Sequence, residues 1–171
     1  KRPDVLTFES AVLVEDFTVL GEIKAYIAFA TDHNAADLYV KVIDVYPMDR
    51  EPKDTDLDDV KMNGYQQMVR CGYIRGRYRN GFEEAEPFIA NEQTTIQVPL
   101  LDVFHTFKKG HKIMIQIQSS MFPLFDLNPQ NYVEDIYNAE RDDFSTAIHK
   151  IYATSKIVLP VYGESTGGLV K

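Results

Sequence analysis

Several things are scarce in this 171-residue chain, and each scarcity excludes something. There is no tryptophan and only one cysteine, Cys71, so no internal disulfide framework can staple the fold. The same lone cysteine leaves the compartment undecided, because many exported domains also lack disulfides. Basic residues are outnumbered, 18 Lys and Arg against 26 Asp and Glu, which sets the net charge at −8. That balance argues against nucleic acid and against an anionic membrane as partners, since both demand a basic surface. No apolar run approaches the length of a membrane-spanning helix. The first residues, Lys1-Arg2-Pro3-Asp4, have no apolar stretch behind them and do not resemble a signal peptide. A chain beginning with Lys1 is expected to be processed or cut from a longer polypeptide.

What is present suits one folded domain. The chain is 44% hydrophobic and 12% aromatic, enough to build a core without staples. The dominant pattern has period two. Ile23, Ala25, Ile27 and Phe29 share one face of residues 22–31. In residues 37–46, Leu38, Val40, Val42 and Asp44 oppose Tyr39, Lys41, Ile43 and Val45. Ile113, Ile115 and Ile117 alternate with polar neighbours in residues 111–119. Shorter strand-like runs are expected at 5–8, 11–14, 17–20, 65–69, 74–79, 94–100 and 155–161. Asn63-Gly64, Asn80-Gly81 and Lys109-Gly110 mark turns. No segment sustains a capped 3.6 period, and residues 132–144 read as a long loop with at most one helical turn. About ten short strands in one domain predict an all-β, two-sheet jelly-roll sandwich. The domain is expected over residues 1–162, followed by a Gly-rich flexible tail over 163–171.

Chemistry-bearing motifs are weak. Gly163-Glu164-Ser165-Thr166-Gly167 satisfies the nucleophile-elbow pattern, but only four residues follow. The required helix, acid and histidine are not expected after it, so no catalytic residue is assigned. His33, His105, His111 and His149 form no local metal signature, and no metal or cofactor is implied. They are expected to be hydrogen-bonded structural histidines. Cys71 is expected to be a small buried thiol rather than a nucleophile. Asp54, Asp56 and Asp58 begin a calcium-loop spacing, but Asp59 stands where a glycine is needed. The acidic loop 49–59 is therefore read as a solvated surface. Arg75, Arg77 and Arg79 lie two apart, which would place three guanidiniums on one strand face. Such a stripe either meets nearby carboxylates or docks an acidic surface. Phe122 and Phe125 lie just past a strong strand and serve either as a ligand-pocket wall or as core.

Taken in order, several segments resemble one family. They are Arg2-Pro3-Asp4-Val5-Leu6-Thr7-Phe8-Glu9-Ser10, Asp37-Leu38-Tyr39-Val40-Lys41-Val42-Ile43-Asp44-Val45-Tyr46-Pro47 and Arg75-Gly76-Arg77-Tyr78-Arg79. Lys109-Gly110-His111-Lys112-Ile113, then Ser119-Ser120-Met121-Phe122-Pro123 with Asp126 and Asn128, and finally Ser155-Lys156-Ile157-Val158-Leu159-Pro160-Val161 complete the set. Together they resemble the C-terminal domain of the X-Pro dipeptidyl-peptidase, cocaine esterase and α-amino acid ester hydrolase family, to which glutaryl-7-aminocephalosporanic acid acylase-like proteins belong. The resemblance implies a galactose-binding-like jelly roll that carries no catalytic residue. It implies an α/β-hydrolase domain, N-terminal in the same polypeptide, that holds the serine nucleophile. Asp44, Arg75, Arg77, Arg79 and His111 would then anchor strands or the domain interface, and Ser119, Ser120, Phe122, Pro123 and Phe125 would wall the substrate pocket. Subunit contacts in a homo-oligomer stay open. The rivals are a free-standing carbohydrate-binding module, which the missing tryptophan disfavours, and an oligomerisation module.

Overall fold

The computed structural model describes residues 3–49 and 61–163. Eight strands form two antiparallel sheets: β1 (Val5–Glu9), β2 (Phe17–Thr31), β3 (Asp37–Val45), β4 (Gln66–Arg75), β5 (Thr94–Phe107), β6 (Lys112–Gln118), β7 (His149–Ile151) and β8 (Lys156–Val158). One sheet has the order β1-β6-β3-β4. In the other, β2 is flanked by β5 on one side and by β7 and then β8 on the other. Among the described residues helix is confined to three one-turn 3-10 segments, at Gly76–Tyr78, Ile136–Asn138 and Arg141–Asp143. This is the β-sandwich that the period-two pattern predicts.

The alternation explains the core. Leu38, Val40 and Val42 of β3, Ile117 of β6 and Ile74 of β4 face Ile23, Ala25, Ile27 and Phe29 of β2 and Ile96, Val98 and Leu100 of β5. Most are fully buried, and each large aliphatic side chain contributes about 1.5–3 kcal/mol by leaving water. The sheets come closest where β4 crosses β5. A Cβ at Gly72 would collide with the Pro99 carbonyl there, so a side chain at that position would force the sheets apart.

Five expectations need correction. Residues 17–20 and 22–31 are one strand, continuous through Gly21 with a register shift between Glu22 and Lys24. The expected strand 94–100 continues to Phe107, because Leu101 takes a left-handed backbone (φ 64°) and absorbs the irregularity opposite. Residues 11–14 form no strand, although Leu13 N–H donates to the His111 carbonyl. Nor do residues 74–79 run straight. The strand stops at Arg75 and turns at Gly76, whose N–H donates to the Ala36 carbonyl. A Cβ at Gly76 would meet that carbonyl and the Phe88 ring, so only glycine permits the approach. The loop 132–144 holds two 3-10 turns rather than one. Most of the acidic loop, with Asp54, Asp56, Asp58 and Asp59, lies outside the described residues, as does Ser165.

Candidate functional site: a buried carboxylate clamp and an aromatic end

Asp44 is the most constrained of the sequence-predicted residues. It occupies an inward position of β3 in line with Val40 and Val42, and it is 1% exposed. Its carboxylate accepts from two imidazoles brought from far along the chain. His111 Nδ1–H donates to Oδ1 (2.7 Å) and His105 Nε2–H donates to Oδ2 (2.9 Å). His105 belongs to β5, so this pair ties one sheet to the other. The Tyr46 ring lies 4.4 Å from the His111 ring and Phe107 packs on His105. Each carboxylate oxygen thereby accepts from one imidazole, and burial closes the group off from solvent. The group works as a structural clamp at one end of the sandwich.

At the opposite end of β3, Asp37 is also buried, facing Arg75 Nε at 3.5 Å and accepting from Asn128 Nδ2–H at 2.8 Å. Burial pushes its carboxyl above the usual range, against the pull of Arg75. Beyond Gly76 the arginines part company, so the expected three-guanidinium stripe does not exist. Arg77 is buried; it donates to the carbonyls of Val133 and Glu134 and lies 4.3 Å from the Tyr132 ring. Arg79 donates to the carbonyls of Gly76, Glu86 and Pro87 and covers the Phe88 ring at 4.4 Å. Each guanidinium thus satisfies loop carbonyls with its planar fork, a task lysine cannot perform. Arg75 stays beside Asp37, while Arg77 and Arg79 fasten the loops 128–134 and 80–88.

The segment after β6 folds back over the outer face of the first sheet. Gln118 Nε2–H donates to the Ser120 carbonyl, and Ser120 Oγ accepts from Phe122 N–H. Met121 Sδ sits 3.7 Å from Cys71 Sγ, and burial pushes that thiol up. Phe125 packs on Tyr73 (4.3 Å) and Tyr39 (5.2 Å), and the two tyrosines stack at 5.9 Å. Tyr39 is fully buried, its phenol pushed up to about 12 by desolvation and by the Asp37 charge. Phe122 points away from this cluster and is 63% exposed, with Pro123 and Leu124 exposed beside it. Ser119 is half-buried next to Pro3 and Asp4. The segment therefore splits: Phe125 is half-buried against Tyr39 and Tyr73 on the outer face, while Phe122, Pro123 and Leu124 form an exposed apolar rim.

Sequence reasoning missed Asp37, Asn128 and the Tyr39–Tyr73 stack as parts of this end. Asn128 was visible only as a member of a resembling segment. Among the described residues, no group of three or more His, Cys, Asp or Glu is arranged to hold a metal ion.

The described residues thus form a two-sheet antiparallel sandwich in which Asp44, Arg77 and Arg79 bind strands and loops, with an apolar rim at one end. Residues 1–157 match the family described as the X-Pro dipeptidyl-peptidase C-terminal non-catalytic domain, and the chain belongs to that family. It is 28% identical over 164 residues to cocaine esterase from Rhodococcus sp. (strain MB1 Bresler), covering 94% of this chain and 26% of that protein. An α-amino acid ester hydrolase superposes with a TM-score of 0.87 and 38% identity, covering 94% of this chain and 26% of its own. An aminopeptidase from the marine sediment archaeon Thaumarchaeota archaeon gives a TM-score of 0.86 and 35% identity, covering 95% and 26%. The chain thus spans about a quarter of the length of these relatives.

Proposed function

We propose that this chain is the C-terminal domain of a serine hydrolase that cleaves ester or amide bonds, of the acyl esterase, acylase or Xaa-Pro dipeptidyl-peptidase type. In this reading an N-terminal α/β-hydrolase domain of the same polypeptide supplies the nucleophile and forms the acyl-enzyme. The sandwich packs against that domain and contributes part of the wall around its substrate.

The observation that carries the reading is where the apolar rim lies. Val5 pairs with Gln118, Gln118 with Tyr39, and Tyr39 with Tyr73, so these residues form one row across the first sheet. Residues preceding Val5 arrive at that row. A domain joined there lies next to Tyr73, Phe122 and Leu124, which are 50%, 63% and 71% exposed. Contiguous exposed apolar side chains of this kind mark an interaction surface.

The test uses the full-length polypeptide with Phe122→Ser. A pocket wall predicts that KM for the best of an ester, a β-lactam side-chain amide and an Xaa-Pro peptide substrate changes roughly 3–10-fold with kcat nearly constant, as for lost uniform binding. Unchanged kinetics in a folded variant would remove Phe122 from the pocket. A native polypeptide no longer than this chain would end the hydrolase reading.

A further inference from the structure

The two sheets differ in width. The first has four strand positions, while among the described residues the second has three: β5, β2, and the shared place of β7 and β8. β5 lies over β4 and β3, so across from β1, at the far edge, stand only the short β7 and β8, with a gap between. The consequence shows in burial. Leu6 and Phe8 pair with Ile117 and Ile115 and share their inward face, yet they are 46% and 53% exposed. A sandwich normally seals such positions against the facing sheet.

The gap holds two adjoining cavities that together form a trough. A cavity of about 500 Å³ runs between Phe8 and Ile115 on one wall and Ile27 and Ile157 on the other. A second, of about 230 Å³, continues it past Leu6 to Pro3, Ser119 and His149. Ile117 and Ile151 line both. The first part is apolar. The second contains one unsatisfied group, since His149 Nδ1 is buried without a hydrogen-bond partner. Burial lowers the pKa of His149 and keeps it neutral, so one ring nitrogen can donate and the other accept.

We propose that this trough seats an extended, apolar-alternating segment from the part of the parent polypeptide outside this chain, filling the fourth strand position of the second sheet. The proposal rests on reading the chain as one domain of a longer hydrolase. Three features favour a polypeptide over a small molecule. The trough runs along the whole of β1, whose five residues span roughly 17 Å at strand rise. Among the described residues β7 and β8 each pair only with β2, which leaves their other edges to a backbone. The relatives are about four times as long as this chain, and the trough's polar end is bordered by Pro3, where a preceding segment arrives. A backbone group of that segment would satisfy His149 Nδ1.

Two measurements on the full-length polypeptide test this, after its mass has been determined. In hydroxyl-radical labelling, Phe104 and Phe82, 74% and 81% exposed, serve as internal references for Phe8. A filled trough predicts labelling of Phe8 slower than the references by about fivefold, as its exposure falls from 53% to core values. With Phe8 replaced by a photoreactive benzoylphenylalanine, illumination should cross-link it within one molecule to a segment preceding Lys1. Labelling of Phe8 in proportion to its present exposure would overturn the proposal while leaving the hydrolase reading intact. Cross-links between two molecules, or to this domain's own C-terminal residues, would do the same. A native polypeptide that does not extend beyond Lys1 would overturn both.

Discussion

Replacing Asp44 with alanine should be among the most damaging single changes in the first sheet. The substitution removes a 1%-exposed carboxylate and leaves two imidazole N–H groups facing a small void. Each hydrogen bond to a charged group contributes about 1.5–3 kcal/mol, so losing the two costs about 3–6 kcal/mol in all. The expected loss is therefore about 4 kcal/mol. With a urea m-value of about 2 kcal/mol/M, that corresponds to a fall in the unfolding midpoint of about 2 M. Thermal unfolding would shift by roughly 10 °C for a domain of this size. Because the chain has no tryptophan, the transition is best followed by far-UV circular dichroism or by the fluorescence of its ten tyrosines. Asp44→Asn should cost less, about 1–2 kcal/mol, because its amide still presents one acceptor and one histidine can change tautomer to accept from the other end. The clamp argument fails if Asp44→Ala costs under about 1 kcal/mol, the range of an ordinary surface change. It also fails if alanine and asparagine are indistinguishable.

Two further predictions follow from the other end of the sandwich. Arg77→Lys should destabilise by about 2–3 kcal/mol, because lysine keeps the charge but loses the two-carbonyl fork and the stacking on Tyr132; hydrogen exchange should quicken selectively across residues 130–136, and uniform exchange would contradict the anchoring role. Asp37, whose folded carboxyl is raised by burial, binds its proton more tightly in the native state than in the unfolded one. Stability should therefore fall as pH rises from near 3.8 to that raised value, and level off above it. Asp37→Asn should abolish this fall. Asp16 and Asp32, whose pKa values are lowered, act in the opposite sense at lower pH and cancel in the difference between variant and wild type. Parallel urea-midpoint profiles for the two proteins would refute the assignment.

How much of this was legible beforehand depends on the range of the interactions. The alternations in residues 22–31, 37–46 and 111–119 are local, and each falls on a strand, β2, β3 and β6, within a residue or so of its bounds in the last two. The extension of β5 through Phe107 was not read, because the left-handed turn at Leu101 breaks the period for one residue before Val103, His105 and Phe107 resume it. The arginine stripe failed for a similar reason. Its spacing suits a strand, but Gly76 ends the strand, and glycine beside the turn residues Asn80-Gly81 was the available signal. Asp44 shares the face of Leu38, Val40 and Val42, and the family resemblance marks it as an anchor. Its pairing with His105 and His111 is not legible, since they come from β5 and the turn before β6, and one sequence carries no information on who meets whom at that distance. The trough beside β1 was illegible for the same reason, because it is a mismatch in sheet width rather than a property of any segment.

The pairing order also fixes when the domain can fold during synthesis. Val5 finds its neighbour in Gln118, and Phe29 finds one of its neighbours in Ile151. The first strand waits for the sixth, and the central strand of the second sheet waits for the last two. Such non-local closure is slow, because loop entropy is lost before the contacts that reward it are made. In a polypeptide carrying this domain at its C-terminal end, the sandwich can close only after almost all of it has left the ribosome, when any preceding domain has already had time to fold. The preceding domain would then present a finished surface against which the late strands assemble. A truncation that removes β7 and β8 would leave β2 without a partner on that side for the life of the protein.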